Sequence, residues 1–333
     1  MELQMSKNIT ELSNNLTLLK YKFQNKFERG IGSPNSLIVE EDDEIAIIDP
    51  ATWTHNLKLF LKYRDIDKIK DNYSVKKIFL THEHWDHILS SSFYQEKLGF
   101  TILCHKLEKD AVENEEILFT HMFDDYSILE KEMRISTISK KIIKKAITWM
   151  WGPYKPMKVS NTLKEGDSFF DNPQIKVIET PSHTLGSLSF YIPSEKILFS
   201  GDLIDLELGV GLDLNNPHSS VKAGLRSLEK IKKLDVEKLI PGHGEIVEGK
   251  KIIQDLIEKR IQETNCVYNK LIELLETSPK TLRSLIIGVF PESRWKINVY
   301  YLRKYLIFAY LNEINKTKGL NIEQKMNKTL ISL

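Results

Sequence analysis

The sequence predicts an α/β fold, with layered sheets and helices packed outside them. Three observations predict it. From Ser36 to Ile204, short runs rich in Ile, Val, Leu and Phe repeatedly end in Gly, Pro, Asp or His, as strands do. Between such runs, apolar residues recur at helical spacing, as in Val221, Leu225, Leu228 and Ile231. After Gly249 the strand pattern stops and helical patterns take over.

In order, strands are expected over Ser36 to Val39, Glu44 to Ile48, Lys77 to Leu80, Thr101 to Cys104, Ile175 to Glu179, Ser187 to Ile192 and Lys196 to Phe199. Helices are expected over His87 to Leu98 and Ser220 to Leu234, the second capped by Ser219 or Ser220. Between His105 and Thr162 the pattern turns helical and basic, with Lys140, Lys141, Lys144 and Lys145 followed by Trp149, Trp151 and Tyr154. This stretch, about 106–160, reads as a helical insert, and as a candidate lid whose Trp149, Trp151 and Tyr154 contact substrate. The charge run also suits a solvated helix face. A long helix is expected from Lys250 to Glu276, stopped by Thr277-Ser278-Pro279, with further helices near 280–289 and 296–314. A hairpin around Asn327-Lys328 completes a small winged-helix-like module. The expected division is therefore 1–249 and 250–333.

Composition narrows the partners. Lys+Arg at 47 against Asp+Glu at 46 give a formal net charge of +1, so no bulk field draws the molecule to nucleic acid or an anionic membrane. Cys104 and Cys266 form no CxxC pair, which suits a reducing compartment and excludes a disulfide framework. Met1 to Lys20 lacks an apolar export signal, and no stretch reaches the roughly 18 apolar residues of a membrane span. The expected location is the cytoplasm, with no membrane partner.

The chemistry lies in four short segments. Thr81-His82-Glu83-His84-Trp85-Asp86-His87 follows the apolar run Lys77 to Leu80, which places potential ligands where a strand hands over to a helix. Neutral imidazoles and a carboxylate suit a borderline-soft divalent cation. His183 in Pro181-Ser182-His183-Thr184, Asp202 in Ser200-Gly201-Asp202 and His243 in Pro241-Gly242-His243-Gly244 each follow another apolar run. Any one of them has a structural explanation. Four in this order point to one metal centre. His218 stands in a loop beyond Asp202, open to substrate contact or to solvent. His55, His105 and His121 have no ligand-like neighbours and read as structural, with His105 at a strand end.

With Asp49 in Ile47-Ile48-Asp49-Pro50-Ala51, these motifs resemble the metallo-beta-lactamase superfamily over roughly Leu37 to Val247. The resemblance implies an αββα sandwich with two metals at one edge. It implies that His82, His84 and His183 bind one metal, that Asp86, His87 and His243 bind the other, and that Asp202 bridges them. Asp49 matches an outer aspartate that orients the ligand turn. Two divalent ions about 3.5–4 Å apart, zinc first and iron or manganese as alternatives, would share a hydroxide and lower the pKa of its parent water towards about 7. Asp86 and Asp202 are then the catalytic carboxylates, Asp86 steering the nucleophile or relaying a proton.

His84 argues against the diiron redox branch, which has glutamate there, and Asp202 against zinc beta-lactamases, which use cysteine nearby. The ligand set is similar to that of glyoxalase II, the lactonases and the phosphodiester-cleaving branch. A small ester, thioester or lactone is the expected substrate. A phosphodiesterase or single-strand endoribonuclease is the alternative, with Lys280, Arg283, Arg294, Lys296, Arg303, Lys304, Trp295, Tyr300 and Tyr301 as the nucleic-acid surface. A mononuclear iron persulfide dioxygenase keeps the same motif. The terminal module also suits a packed cap or a homodimer contact, and a non-catalytic metal-stabilised interaction module is the remaining class.

Overall fold

A computed structural model describes residues 8–20, 34–123, 128–133, 136–204, 206, 210–214, 217–294, 297–325 and 328–333. Seven strands form the first sheet in chain order: β1 (Ile9–Ser13), β2 (Leu16–Leu19), β3 (Ser36–Glu41), β4 (Glu44–Ile48), β5 (Val75–Phe79), β6 (Thr101–His105) and β7 (Val159–Leu163). The first four pair antiparallel, and β4 through β7 run parallel. The second sheet has the order β13 (Val247–Glu248), β12 (Lys238–Pro241), β11 (Ile197–Gly201), β10 (Leu188–Ile192), β9 (Ile175–Glu179) and β8 (Ser168–Phe169). Only its β11 and β12 pair parallel.

Strand periodicity builds the layers. In β4, Ala46 and Ile48 point into the cluster between the sheets, while Ile45 and Ile47 point outward under helices. In β11, Ile197 and Phe199 face inward and Leu198 outward. Alternate residues thus bury both faces of each sheet, which is why these strands read as continuous apolar runs. The inner layer joins Leu37, Val39, Ile48 and Phe79 to Val177, Phe190, Phe199 and Ile240.

Outside the first sheet lie α1 (Asn56–Tyr63), α2 (Ile66–Asn72), α3 (Trp85–Ile88) and α4 (Ser91–Leu98). The insert adds α5 (Lys109–Glu113), α6 (Glu115–Phe123), α7 (Glu130–Met133) and α8 (Thr137–Trp151). Outside the second sheet lie α9 (Val221–Ile231) and α10 (Lys250–Thr277), then α11 (Leu282–Val289), a 3-10 turn (Pro291–Arg294) and α12 (Ile297–Lys318). The hairpin of β14 (Asn321–Lys325) and β15 (Lys328–Ser332) follows. The order of layers is αββα, as expected.

Several local expectations shift. The helix read over 87–98 is two helices, because Ser90 turns its amide to the Ala51 carbonyl (2.9 Å) and its hydroxyl to the Pro50 carbonyl (2.7 Å). Ser220 is the cap of α9, accepting from the Ala223 amide. β1 and β2 lay hidden in a polar amino-terminal stretch, although Leu16, Leu18 and Leu19 are fully buried. The insert does more than border the site. Its Leu129 and Met133 join the apolar cluster of α9 to α12, and Thr329 on β15 donates to Glu132 (2.6 Å). Residues 250–333 share that continuous cluster with the outer face of the second sheet. Among the described residues, no helix is long and apolar enough to cross a membrane.

Candidate metal centre

Every candidate ligand stands where a strand ends. Asp49 follows β4, His82 to His87 follow β5, His183 follows β9, Asp202 follows β11 and His243 follows β12. Paired strands fix these ends against one another, so residues distant in sequence meet at one edge of the sandwich. His82, His84 and His183 offer nitrogens within 4.8 Å of one another, as do the ligand atoms of Asp86, His87 and His243. His82, His87 and Asp202 make a third such group, which links the first two.

The distances suit coordination. Around a tetrahedral ion with bonds of about 2.0–2.1 Å, ligand atoms stand roughly 3.3 Å apart. His87 Nε2 lies 3.3 Å from His243 Nε2 and 3.5 Å from Asp202 Oδ1. His243 Nε2 lies 3.1 Å from Asp86 Oδ2. Asp202 Oδ2 stands 3.8 Å from His82 Nε2, and 3.6 Å from the Nε2 atoms of both His183 and His243, so it sits between the two groups. His84 Nδ1 and His183 Nε2 are closer, at 2.7 Å.

Outer contacts turn the correct nitrogens inward. Asp49 can only accept: it takes the Thr81 amide (2.8 Å), the Thr81 hydroxyl (2.6 Å) and His87 Nδ1–H (2.8 Å). Because the Thr81 hydrogen goes to Asp49, its oxygen accepts from His82 Nδ1–H at 2.9 Å. His183 Nδ1–H donates to the Asp213 carbonyl at 3.2 Å, with the Asp213 carboxylate 3.3 Å away. Each of these three rings is therefore held through Nδ1 and aims its Nε2 at the cluster, the atom a metal would take. Asp49 holds this position in the left-handed region, at φ 49°.

Close backbone approach completes the edge. A β-carbon on Gly242 would lie 1.9 Å from Asp202 Oδ1 and 3.1 Å from His87 Cε1, so only glycine fits there. Its loop is clamped by Asn35, whose side-chain amide donates to the Pro241 (2.8 Å) and Gly244 (3.2 Å) carbonyls. Ser219 donates to the His183 carbonyl at 2.7 Å.

The electrostatics divide the cluster. Burial, with neighbouring imidazoles, holds His82 well below the usual histidine range and His84 at about 3. Burial also lowers His243, but Asp202 and Asp86 outweigh it and raise this ring to about 9. His87 rises well above its usual value on the same account, against its own burial, through Asp202, Asp86 and Asp49. Asp86 falls to about 2, because His87 and His243 overcome the effect of burial. Two buried atoms, His82 Nε2 and Asp202 Oδ1, have no hydrogen-bond partner. Each such atom costs about 1–3 kcal/mol unless something else satisfies it. The orphaned atoms and the donor set fit cations bound by His82, His84 and His183 on one side and by Asp86, His87 and His243 on the other.

The four side chains expected to contact substrate have different surroundings. Trp149 is 78% exposed on α8. Trp151 packs against the outer cluster of the first sheet, and its carbonyl accepts from the Trp53 amide at 2.9 Å. Tyr154 donates to the Val112 carbonyl at 2.9 Å. His218 stacks edge-on against His121, with centroids 5.0 Å apart, and His121 Nδ1 lies 2.9 Å from Glu83. His105 sits 3.4 Å from Glu179. Trp295 and Lys296, and the side chains of Arg294, Tyr300 and Tyr301, lie outside the described residues. The roles of Thr81, Asp213 and Asn35 carry no signal in the sequence, whereas the glycines that flank His243 mark a close backbone approach, which Gly242 makes.

The profile described as the metallo-beta-lactamase superfamily matches residues 29–243, well over half of the chain. A hydroxyacylglutathione hydrolase of Pelagibacter ubique (strain HTCC1062) is 27% identical over 273 residues, spanning 80% of this chain and 91% of that protein. Another, from Bartonella henselae, is 30% identical over 161 residues, and the chain spans 58% of its length. Among solved structures, a metallo-beta-lactamase family protein from Thermus thermophilus superposes with a TM-score of 0.67 at 20% identity, over 96% of this chain and 99% of that one. A beta-lactamase domain protein from Burkholderia ambifaria gives 0.68 at 14% identity, over 98% and 94%. These likenesses cover the carboxyl-terminal helices as well as the sandwich. The chain belongs to the metallo-beta-lactamase superfamily and is a metal-dependent hydrolase of that family.

Proposed function

We propose that this protein hydrolyses a small thioester of the hydroxyacylglutathione type with two divalent metal ions, zinc first among them. One observation carries the dinuclear reading: Asp202 Oδ2 lies between two complete ligand groups, within 3.6 Å of His183 on one side and of His243 on the other. The thioester is supported by the similarity to a hydroxyacylglutathione hydrolase across 91% of that protein's length.

Bound metal would supply Lewis acidity, polarising the carbonyl and lowering the pKa of water towards about 7. The chain's own residues do the rest. Asp49, Thr81 and the Asp213 carbonyl keep the imidazoles oriented, so that their geometry need not reorganise during turnover. The Asp86 side chain is 16% exposed against 7% for Asp202, which makes it the cluster carboxylate that solvent and substrate reach. Held ionised by His87 and His243, it is suited to accept a hydrogen bond from the attacking water and so steer it towards the carbonyl carbon. In the balanced reaction, water oxygen bonds to the carbonyl carbon, the C–S bond breaks, and the products are a carboxylic acid and a thiol.

Part of the basic surface offered for nucleic acid is engaged in packing: the Arg303 guanidinium lies 4.3 Å over the Phe290 ring, and burial lowers the Lys304 ammonium. This favours the small-substrate reading. The test is turnover of hydroxyacylglutathione, lactone, phosphodiester and single-stranded RNA substrates by metal-loaded protein. Thioester turnover lost on His84→Ala and Asp202→Ala supports the reading. RNA or phosphodiester cleavage without thioester turnover refutes it, and a single bound iron with sulfur oxidation points to the dioxygenase instead.

A further inference from the structure

Glu108, which no sequence motif marks, lies buried between the two turns that carry the first ligand group. It is the cap residue before α5, and its carboxylate accepts three hydrogen bonds. Oε2 takes the amide of Glu83 at 3.0 Å, the residue between His82 and His84. Oε1 takes the Thr184 hydroxyl at 2.9 Å and the Gly186 amide at 2.7 Å, from the loop that follows His183. One carboxylate therefore ties together β5's ligand turn and β9's ligand loop, 25 and 78 residues away in sequence. The contact is close enough to dictate Gly186, where a β-carbon would stand 2.3 Å from Glu108 Oε1.

We propose that Glu108 is a positioning residue for the His82, His84 and His183 group, setting the separation of its two halves, while Asp86, His87 and His243 are positioned independently of it. The second group has a clamp of its own in Asn35, which holds the His243 loop through the Pro241 and Gly244 carbonyls, while Asp49 serves both groups through His87 and Thr81. The inference rests on the metal-binding reading above. Burial and the neighbouring Glu83 carboxylate push the Glu108 carboxyl well above its usual range, opposed by the three donors. A buried acid in so unfavourable a place stays ordered because those donors are there, and the donors are ordered in turn by it.

The experiment is a cobalt(II) titration of metal-stripped full-length protein, followed by visible absorption and chelator competition, for wild type, Glu108→Gln and Glu113→Gln. Glutamine is nearly isosteric but turns an NH₂ towards either the Glu83 amide or the Thr184 and Gly186 donors. Glu113→Gln is the matched control, since Glu113 Oε1 also accepts a backbone amide, that of Val159 at 2.8 Å, away from both ligand turns. Outer-shell losses of this kind weaken metal binding by about 10–100-fold. That loss is expected for one of two cobalt ions in Glu108→Gln, and for neither in Glu113→Gln. Unchanged cobalt affinity in Glu108→Gln, equal weakening of both ions, or equal weakening in the control overturns the proposal. If Glu108→Gln fails to fold, Thr184→Val decides, because it keeps the carboxylate and removes one donor: weaker binding of one ion supports the role, and unchanged binding overturns it. Wild-type protein that takes up no cobalt overturns both this inference and the functional reading; two ions bound normally by wild type and Glu108→Gln overturn only this one.

Discussion

Asp49→Asn removes a charge without removing volume, at a fully buried site where the carboxylate accepts from the Thr81 amide, the Thr81 hydroxyl and His87 Nδ1. Asparagine has one acceptor oxygen and an NH₂ group, so at least one donor at 2.6–2.8 Å must face another donor. A buried donor left unsatisfied costs about 1–3 kcal/mol. If the NH₂ faces His87, that ring loses the contact that anchors Nδ1, and its Nε2 is no longer held towards the cluster. If it faces Thr81, the hydroxyl that accepts from His82 is displaced. Either way the expected loss of metal affinity is about 10–100-fold, or roughly 1.4–2.8 kcal/mol. Zinc competition against a chromophoric chelator measures it, with a melt of the metal-free protein run alongside to record the change in fold stability. Wild-type affinity for both ions in a folded Asp49→Asn protein would refute the reasoning.

Gly242→Ala is expected to abolish binding of at least one metal and to destabilise the fold by about 1–3 kcal/mol, because the new methyl overlaps Asp202 Oδ1; elemental analysis and thermal melts check it. Proton release should differ between the two groups. His243, raised to about 9, is protonated at pH 7 in metal-free protein and must lose its proton on binding, so affinity there rises with pH up to about 9. His84, at about 3, and His82, held well below the usual histidine range, are already neutral at pH 7 and release no proton on binding. Calorimetry in buffers of different ionisation heat separates the two; equal proton release from both would contradict the assignment. Thioester turnover should change little between 50 and 200 mM salt, whereas a substrate held by many phosphate contacts would lose about 10³–10⁵ in affinity.

The ligands were legible because each is local: a strand end read from a few apolar residues, followed at once by His or Asp. The αββα layering was legible for a related reason, since strands such as β4 and β11 bury both faces and show it as unbroken apolar runs. What supports the ligands was not. Glu108 meets Glu83 and Gly186, Asn35 meets Pro241, and Asp213 meets His183, all across separations of 25–206 residues that no local pattern records. The packing of the insert was hidden for the same reason: Tyr154 and Trp151 pack on the outer cluster of the first sheet and Met133 docks on the terminal helices, contacts set by surfaces made elsewhere in the chain.

The central claim, two metal ions acting together around Asp202, meets its most direct test in the hydroxyacylglutathione turnover of metal-stripped protein measured against added equivalents of zinc. The predicted result is no turnover without metal and a rise to a plateau at two equivalents per chain. Full turnover at zero equivalents, or a plateau already reached at one, would contradict it.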